Sequence, residues 1–242
     1  MATHSLEKPA VGATSLRNQA YELFCEQVLA ARLRPGQFVS QQELTLLLGM
    51  PLGAIREMIP RLEAARLIVT VPKRGLQIMP VDLKLIRNAF DVRLMIEKEA
   101  ACAFIRSTSD SELERIAEAH RAMLGRAIDD KPDPRLDKEA LALDWNFHHR
   151  MVDVLNNEII SDMYRVNSLH IKLIRIDSDL ARPMRVVPAM REHLAFIAAL
   201  QARDEPRAVA LICEHINASR QRVVTRAMGL QMNDGAPLRH SG

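Results

Sequence analysis

The order of hydrophobic and polar positions predicts a chain made mainly of α-helices. Across residues 16–33, apolar side chains such as Ala20, Phe24 and Val28 recur at spacings of three and four, which is the period of an amphipathic helix. The same period appears in two short segments that follow and in six longer ones beyond position 80. The predicted helices span residues 16–33, 41–48, 51 or 52 to 65, 82–107, 110–128, 136–155, 157–181, 186–203 and 205–229.

Two short segments with a strand pattern separate the short helices from the long ones. Residues 67–71 and 76–79 are rich in aliphatic side chains, and the turn sequence of residues 72–75 joins them. Ser40 is placed to cap the second helix, and Gly49 is placed to end it. The predicted order is three helices, with a tight turn between the second and the third, followed by a two-stranded wing. This order is the layout of a winged helix-turn-helix. In that layout the third helix enters the major groove of DNA and the wing lies on the DNA backbone.

Glycine is concentrated near the start of the chain. Only Gly125 occurs between positions 81 and 228, which indicates long helices with short connections. We therefore predict a mainly α protein in which an N-terminal winged helix-turn-helix is followed by an all-α, antiparallel six-helix bundle. The predicted boundaries are 1–80 for the first domain, 81–232 for the helical domain and 233–242 for a flexible tail.

The composition excludes several broad classes of protein. Hydrophobic residues make up 48% and charged residues 26% of the 242 positions, which is typical of a folded globular chain and not of a disordered one. There is no run of about 18 apolar residues, so we expect no membrane span and no membrane partner. The three cysteines are far apart and odd in number, which argues against a disulfide framework. We expect a cytoplasmic protein.

The positive charge lies in the first third of the chain. The formal net charge is +3, and residues 1–80 alone hold nine Lys and Arg against six Asp and Glu. A small basic excess is compatible with a polyanionic partner and also with an ordinary solvated surface. The candidate DNA contacts are two arginines on the third helix and two basic residues on the wing, all able to reach phosphates or base edges. They are Arg56, Arg61, Lys73 and Arg74.

Several short motifs in this region occur together in a known order. They are Leu33-Arg34-Pro35-Gly36, Gln42-Glu43-Leu44 followed by Leu48-Gly49, Ile55-Arg56-Glu57, Arg61-Leu62-Glu63 and Arg74-Gly75. With these motifs the chain resembles the GntR family of bacterial transcription regulators over about 60 residues. The resemblance implies a DNA-binding module. One departure is residues 51–54, Pro-Leu-Gly-Ala, where the family usually has Ser-Arg-Thr-Pro at the start of the recognition helix.

Four residues in the helical part have the chemistry of metal ligands. Asp144 and His148 are four positions apart on one predicted helix, so their side chains project from the same face. His193 and His215 lie on two later helices. Three imidazoles and one carboxylate suit a divalent ion such as Zn, Ni, Co or Mn. Spacing alone leaves open that these are ordinary buried histidines.

The surroundings of these residues resemble a second known pattern. Asp144-Trp-Asn-Phe-His148, Arg191-Glu192-His193 and His215-Ile216 are similar to the FCD effector domain of the FadR subfamily of GntR regulators, and six helices resemble its VanR-like group. The resemblance implies that Asp144, His148, His193 and His215 hold a divalent ion at the bottom of a pocket. It also implies that Arg93 points toward that pocket and holds a small organic acid by its carboxylate.

Three hypotheses follow for function. The leading one is a metal-dependent, ligand-responsive transcription regulator, not an enzyme, that binds operator DNA as a homodimer and senses a small carboxylate effector. The alternative is a hydrolase-like metalloenzyme that uses metal-bound water. Glu192 and Glu214 are poor general bases for it, because each lies about 100° around the helix from the adjacent histidine. A third hypothesis is a purely structural metal.

Overall fold

The computed structural model describes residues 15–129, 134–177 and 186–234. The chain divides into two compact units, Met1–Pro80 and Val81–Gly242. The first unit is a winged helix-turn-helix and the second is a bundle of helices, so the predicted fold class is confirmed. Among the helices of the described residues, none combines the length and apolar character needed to cross a membrane.

The first unit packs three helices against a small sheet. Both strand pairs are antiparallel, in the order β1-β3-β2. Fully buried side chains of the three helices, among them Phe24, Leu44 and Ile55, form its core. The elements are α1 (Leu16–Leu29), β1 (Phe38–Val39), α2 (Gln41–Leu48), α3 (Leu52–Ala64), β2 (Ile68–Val71) and β3 (Gly75–Ile78).

The helix-turn-helix has the local signals that the sequence predicts. The Ser40 hydroxyl accepts from the Glu43 N–H at 3.1 Å, and the Ser40 N–H donates to the Glu43 carboxylate at 2.7 Å. This capping box satisfies two backbone donors at the start of α2. Gly49 ends the helix with φ of 62°, a conformation that glycine adopts without strain. Pro60 lies inside α3, and the helix continues past it to Ala64.

The first unit differs from the sequence prediction at two places. α1 ends at Leu29 and not at position 33, because Ala31 turns the chain with φ of 54°. Leu33 is still 1% exposed, so its burial continued the apolar pattern beyond the end of the helix. Strand β1 was not predicted, since two residues are too short to show a period. The two predicted wing strands are each present within one residue of their predicted ends.

The second unit holds six described helices, as predicted, with shifted ends. They are α4 (Leu83–Ser107), α5 (Asp110–Asp129), α6 (Pro134–Asp153), α7 (Glu158–Ile176), α8 (Val186–Gln201) and α9 (Glu205–Asp234). The end of α7 was predicted five residues later than Ile176, and predicted positions 178–181 lie outside the described residues. α9 extends beyond its predicted end at 229. The predicted tail therefore begins inside α9, and its positions 235–242 lie outside the described residues.

The helices of the second unit surround one main apolar core. α4 packs against α6, α7 and α9, while α8 packs against α5 and α9. Buried side chains from several helices meet there, for example Phe90 and Phe104 of α4 and Phe196 of α8. This packing brings α4, α6, α8 and α9 together, and these four helices carry the candidate site residues.

Candidate functional site

Four predicted ligands from three helices converge inside the second unit. Asp144 and His148 lie on α6, His193 on α8 and His215 on α9, and one ligand atom of each lies within 4.8 Å of the others. The Nε2 atoms of His193 and His215 are 3.3 Å apart. Asp144 Oδ1 is 3.5 Å from His193 Nε2 and 3.8 Å from His148 Nε2. The tertiary structure thus brings the whole predicted set together.

The four residues fit a divalent cation. Each is at most 4% exposed, and both Asp144 oxygens and His148 Nε2 are buried without a hydrogen-bond partner among the described residues. Buried polar atoms that lack partners are costly, so a group that binds all of them at once would relieve that cost. One carboxylate oxygen and three imidazole nitrogens are ligands that Zn and its neighbours accept.

Two carboxylates orient two of the histidines. Glu97 Oε2 on α4 is 2.7 Å from His148 Nδ1, and Glu192 Oε2 is 2.7 Å from His215 Nδ1. In each pair the imidazole Nδ1–H donates to the carboxylate, which leaves the Nε2 lone pair directed to the centre. Such partners fix the tautomer and ring orientation of a metal-binding histidine.

The protonation states also suit metal binding. Burial by itself raises the pKa of Asp144, but the Arg175 guanidinium, 3.5 Å from Oδ2, and the nearby histidines hold that pKa well below its usual range. Burial lowers the pKa of His193 well below its ordinary value. Burial also lowers the pKa of His215, against the opposing hydrogen bond to Glu192. Metal ligands must be deprotonated, and these groups are deprotonated at neutral pH.

Arg93 lies beside this cluster with part of its guanidinium unused. The residue is 1% exposed on α4, and its Nε donates to Glu97 Oε1 at 2.5 Å. Tyr164 donates to the same oxygen at 2.6 Å. Nη1 and Nη2 of Arg93 are buried, and in the part of the chain that the structure describes they have no hydrogen-bond partner. A guanidinium edge with free donors matches a carboxylate in a two-pronged geometry.

Sequence reasoning missed the residues that support the cluster. Glu97 was given no role, although an Arg93–Glu97 pair four residues apart was a usable signal. Glu192 was considered only as a general base for the adjacent His193. It reaches His215 on a different helix, which no local spacing shows. Arg175 was likewise given no role, and its contact with Asp144 comes from the packing of α7.

The four candidate DNA-contacting residues differ in the contacts that their side chains make within the first unit. All four of these residues are exposed, and Arg56 Nε donates to Gln41 Oε1 at 3.1 Å. The Arg61 guanidinium stacks on the Tyr21 ring at 3.6 Å, and the Arg74 guanidinium stacks on the Phe38 ring at 3.9 Å. These stacks hold Arg61 and Arg74 against the surface of the first unit.

A family model and known proteins identify this architecture. The sequence model of the FCD domain matches residues 88–218, more than half of the chain. The chain belongs to the FCD domain family. The matched segment contains Arg93 and all four residues of the candidate metal centre, so both lie within the FCD domain.

The relatives of this FCD protein are transcription regulators. The HTH-type transcriptional repressor RspR of Escherichia coli strain K12 is 22% identical over 205 residues, which cover 83% of this chain and 86% of RspR. The structure of E. coli McbR/YncC matches with a TM-score of 0.70 at 16% identity, over 88% of this chain and 99% of that one. The metal-free FCD domain of TM0439 matches with a TM-score of 0.50 at 20% identity, over 62% of this chain and 98% of that domain. The protein is therefore an HTH-type transcription regulator of the GntR family with an FCD domain.

Proposed function

We propose that this regulator is metal-dependent and ligand-responsive, binds operator DNA as a homodimer and senses a small organic acid. The observation that carries the proposal is the buried group of Asp144 and three histidines beside the unpartnered Nη atoms of Arg93. A buried cation site and a buried guanidinium together attract an anion of carboxylate type.

Each residue of the site has a distinct role in this proposal. Asp144, His148, His193 and His215 hold a divalent ion such as Zn, Ni, Co or Mn, and Glu97 orients one of the histidines. When bound, the ion supplies further coordination positions that a carboxylate or water fills. Arg93 donates to the carboxylate with Nη1 and Nη2 while its Nε stays bonded to Glu97.

Ligand binding reaches the DNA-binding unit through α4 in this proposal. Arg93 lies on α4, which begins at Leu83, five residues after strand β3 of the wing ends at Ile78. An effector changes DNA affinity only if it binds one arrangement of the two winged helices better than another. A homodimer presents two winged helices to paired half-sites about one DNA turn, or a multiple of it, apart. Such a regulator acts where the operator DNA is, which places it in the bacterial cytoplasm.

The metalloenzyme alternative has less support. RspR is a transcriptional repressor, and the FCD domain of TM0439 is named as part of a transcriptional regulator. Glu97 and Glu192, the carboxylates nearest to the histidines, are already hydrogen-bonded to His148 and His215. A general base needs a free carboxylate in reach of a substrate proton. Hydrolysis of carboxylate esters by the zinc-loaded protein at rates above the uncatalysed reaction would reverse this preference.

Fluorescence anisotropy on DNA from upstream of the gene tests the proposal. The measurement is made at about 150 mM salt with unrelated DNA as competitor, since the Kd for non-specific DNA binding is only about 10⁻⁴ to 10⁻⁶ M there. We expect binding that survives the competitor and that changes when acetate, lactate or succinate is added to zinc-loaded protein. Binding no tighter than to the competitor, on this DNA and on a random-sequence selection library, would contradict operator recognition.

The exposed cations of the first unit provide a prediction for DNA binding. We expect Arg56→Ala and Lys73→Ala each to weaken DNA binding and to lower the slope of log K against log salt by about 1, because each removes one phosphate-reaching cation. If Arg56 also reads a base, its loss relaxes sequence preference by about 1–3 kcal/mol at one position. Anisotropy titrations from 50 to 200 mM salt measure both effects.

Arg121→Ala is the charge-matched control for these variants. Arg121 lies on α5 in the second unit and pairs with Glu114 on the surface. Its loss removes the same charge from the protein without touching the winged helix. An equal decrease of the salt slope in Arg121→Ala would show that total charge, and not the predicted contacts, sets the affinity.

Arg93 provides a prediction for ligand binding. We expect Arg93→Lys to keep the buried ion pair with Glu97 and to lose the two-pronged contact with a carboxylate, since an ammonium group has no planar fork. Zinc uptake should stay unchanged within a factor of about 3, while the effect of carboxylates on DNA binding falls at least about 10-fold in potency. Isothermal titration with zinc and anisotropy with succinate separate the two properties. Full carboxylate response in this variant would remove Arg93 from the effector site.

A further inference from the structure

His120 is a buried histidine that the metal set leaves out. It lies on α5 and is 0% exposed. Its Nδ1 is 2.7 Å from the carbonyl oxygen of Ile116. A carbonyl only accepts hydrogen bonds, so the His120 Nδ1 carries the hydrogen. In the neutral ring Nε2 is then a bare acceptor, and this atom is buried with no hydrogen-bond partner within residues 15–129, 134–177 and 186–234.

His193 has a buried hydrogen-bond donor, Nδ1–H, which complements the buried acceptor of His120. Its Nε2 lies among the ligand atoms of the site, 3.3 Å from His215 Nε2. An imidazole that binds a metal through Nε2 carries its hydrogen on Nδ1. His193 Nδ1 is buried and has no hydrogen-bond partner among the residues that the structure describes, whereas His148 and His215 each use Nδ1 to bond a glutamate. Of the three histidines, His193 is the one whose ring no carboxylate fixes.

The two unsatisfied imidazoles are neighbours. The ring centroids of His120 and His193 are 5.2 Å apart, and the rings meet edge to face at 71°. Phe147 packs against both rings, with centroids at 5.1 Å from His120 and 5.4 Å from His193, and provides no hydrogen-bonding atom. A buried donor without a partner and a buried acceptor without a partner therefore lie side by side.

We propose that His120 positions His193 by accepting the hydrogen bond of its Nδ1–H, directly or through one water, an inference that rests on the proposed metal function. In this arrangement the His193 Nδ1–H donates to His120 Nε2. The His120 Nδ1–H in turn donates to the carbonyl oxygen of Ile116. His120 thus does for His193 what Glu97 does for His148 and Glu192 does for His215.

A neutral acceptor is suited to this position. The site already buries the carboxylates of Asp144 and Glu97, both at most 1% exposed. A third buried carboxylate would carry a further desolvation cost of several kcal/mol. An imidazole fixes the tautomer and the ring angle of His193 without adding charge.

Zinc affinity in His120 variants tests the proposal. We expect His120→Leu to weaken Zn²⁺ binding about 10- to 100-fold, the usual effect of losing a partner behind a metal ligand. His120→Gln retains an acceptor oxygen and should stay within about threefold of the wild type. Competition titration with a chromophoric zinc chelator measures the affinities, and thermal unfolding of the metal-free proteins shows that each variant is folded.

A spectroscopic readout separates hydrogen bonding from packing. In histidine-labelled, zinc-loaded wild type we expect a slowly exchanging Nδ1–H signal of His193 in long-range ¹H–¹⁵N spectra, retained in His120→Gln and lost in His120→Leu. Phe147→Leu is the packing control, since it alters the same face of His193 without removing an acceptor. It should keep both the signal and the affinity.

The outcomes distinguish this inference from the proposed function. Wild-type affinity in His120→Leu, or an equal loss in His120→Gln, would overturn the role of His120 while leaving the metal site intact. An equal loss of zinc affinity in Phe147→Leu would assign the effect to packing and would also overturn the role of His120. Wild-type protein that takes up no Zn²⁺ would contradict the proposed metal function, and the inference would fail with it.

Discussion

Asp144→Asn is expected to abolish stabilisation of the protein by zinc. Asp144 supplies the only carboxylate oxygen of the candidate ligand set, and losing a direct ligand should lower affinity by more than the 100-fold upper range for an indirect partner. At a zinc concentration 100 times the wild-type Kd, the wild type gains about 2.7 kcal/mol in free energy of unfolding. The variant should gain less than about 0.5 kcal/mol at the same concentration. Urea unfolding with and without Zn²⁺ measures both gains.

A matched variant and a second ligand make this result specific. Asp153→Asn removes an exposed carboxylate from the same helix and should leave the zinc effect unchanged. Undiminished zinc stabilisation in Asp144→Asn would show that the ion binds elsewhere. If the variant loses zinc stabilisation but still responds to succinate in DNA-binding assays, the metal is structural and the proposal that sensing depends on the metal is wrong.

Glu97→Leu is expected to cost about 3–5 kcal/mol in free energy of unfolding. Glu97 is 0% exposed and accepts hydrogen bonds from Arg93, Tyr164 and His148. Removing it leaves the buried Arg93 guanidinium without its hydrogen-bonded counter-charge, which is among the most destabilising single changes. Urea unfolding of the metal-free protein measures the loss, and zinc affinity should fall about 10- to 100-fold because His148 loses its Nδ1 partner.

The double variant Arg93→Met/Glu97→Leu separates a lone charge from lost packing. Removing both partners takes away the uncompensated charge, so this variant should recover at least half of the stability that Glu97→Leu loses. Glu139→Ala breaks a surface pair with Arg126, in which both side chains are about half exposed, and should cost about 1 kcal/mol or less. A loss below about 1 kcal/mol in Glu97→Leu would contradict an ion pair that matters for folding.

Local sequence was sufficient to predict the three helices and the wing of the winged helix-turn-helix. Its helices, caps and turns depend on residues a few positions apart, such as Ser40 with Glu43, or Gly49 at a left-handed position. The spacing of Asp144 and His148 likewise placed two ligands on one helical face. Resemblance to known families then linked them to His193 and His215, which no spacing rule connects.

Element ends were less predictable because burial outside a helix looks like burial inside it. Leu33 continued the apolar period of α1 after the backbone had already turned at Ala31. The two-residue strand β1 exists only because β3 pairs with it, through Val39 and Leu76 among others. A strand defined by its partner leaves no period in its own sequence.

The sequence by itself determined the helices, the two wing strands, the order of the two units and the identity of the candidate ligands. The tertiary structure alone decided which side chains support those ligands. Glu97 meets His148, Glu192 meets His215 and His120 meets His193 only because different helices pack side by side. The physical reason is that helix periodicity fixes the face on which a residue lies, whereas its contacts depend on which helix packs against that face.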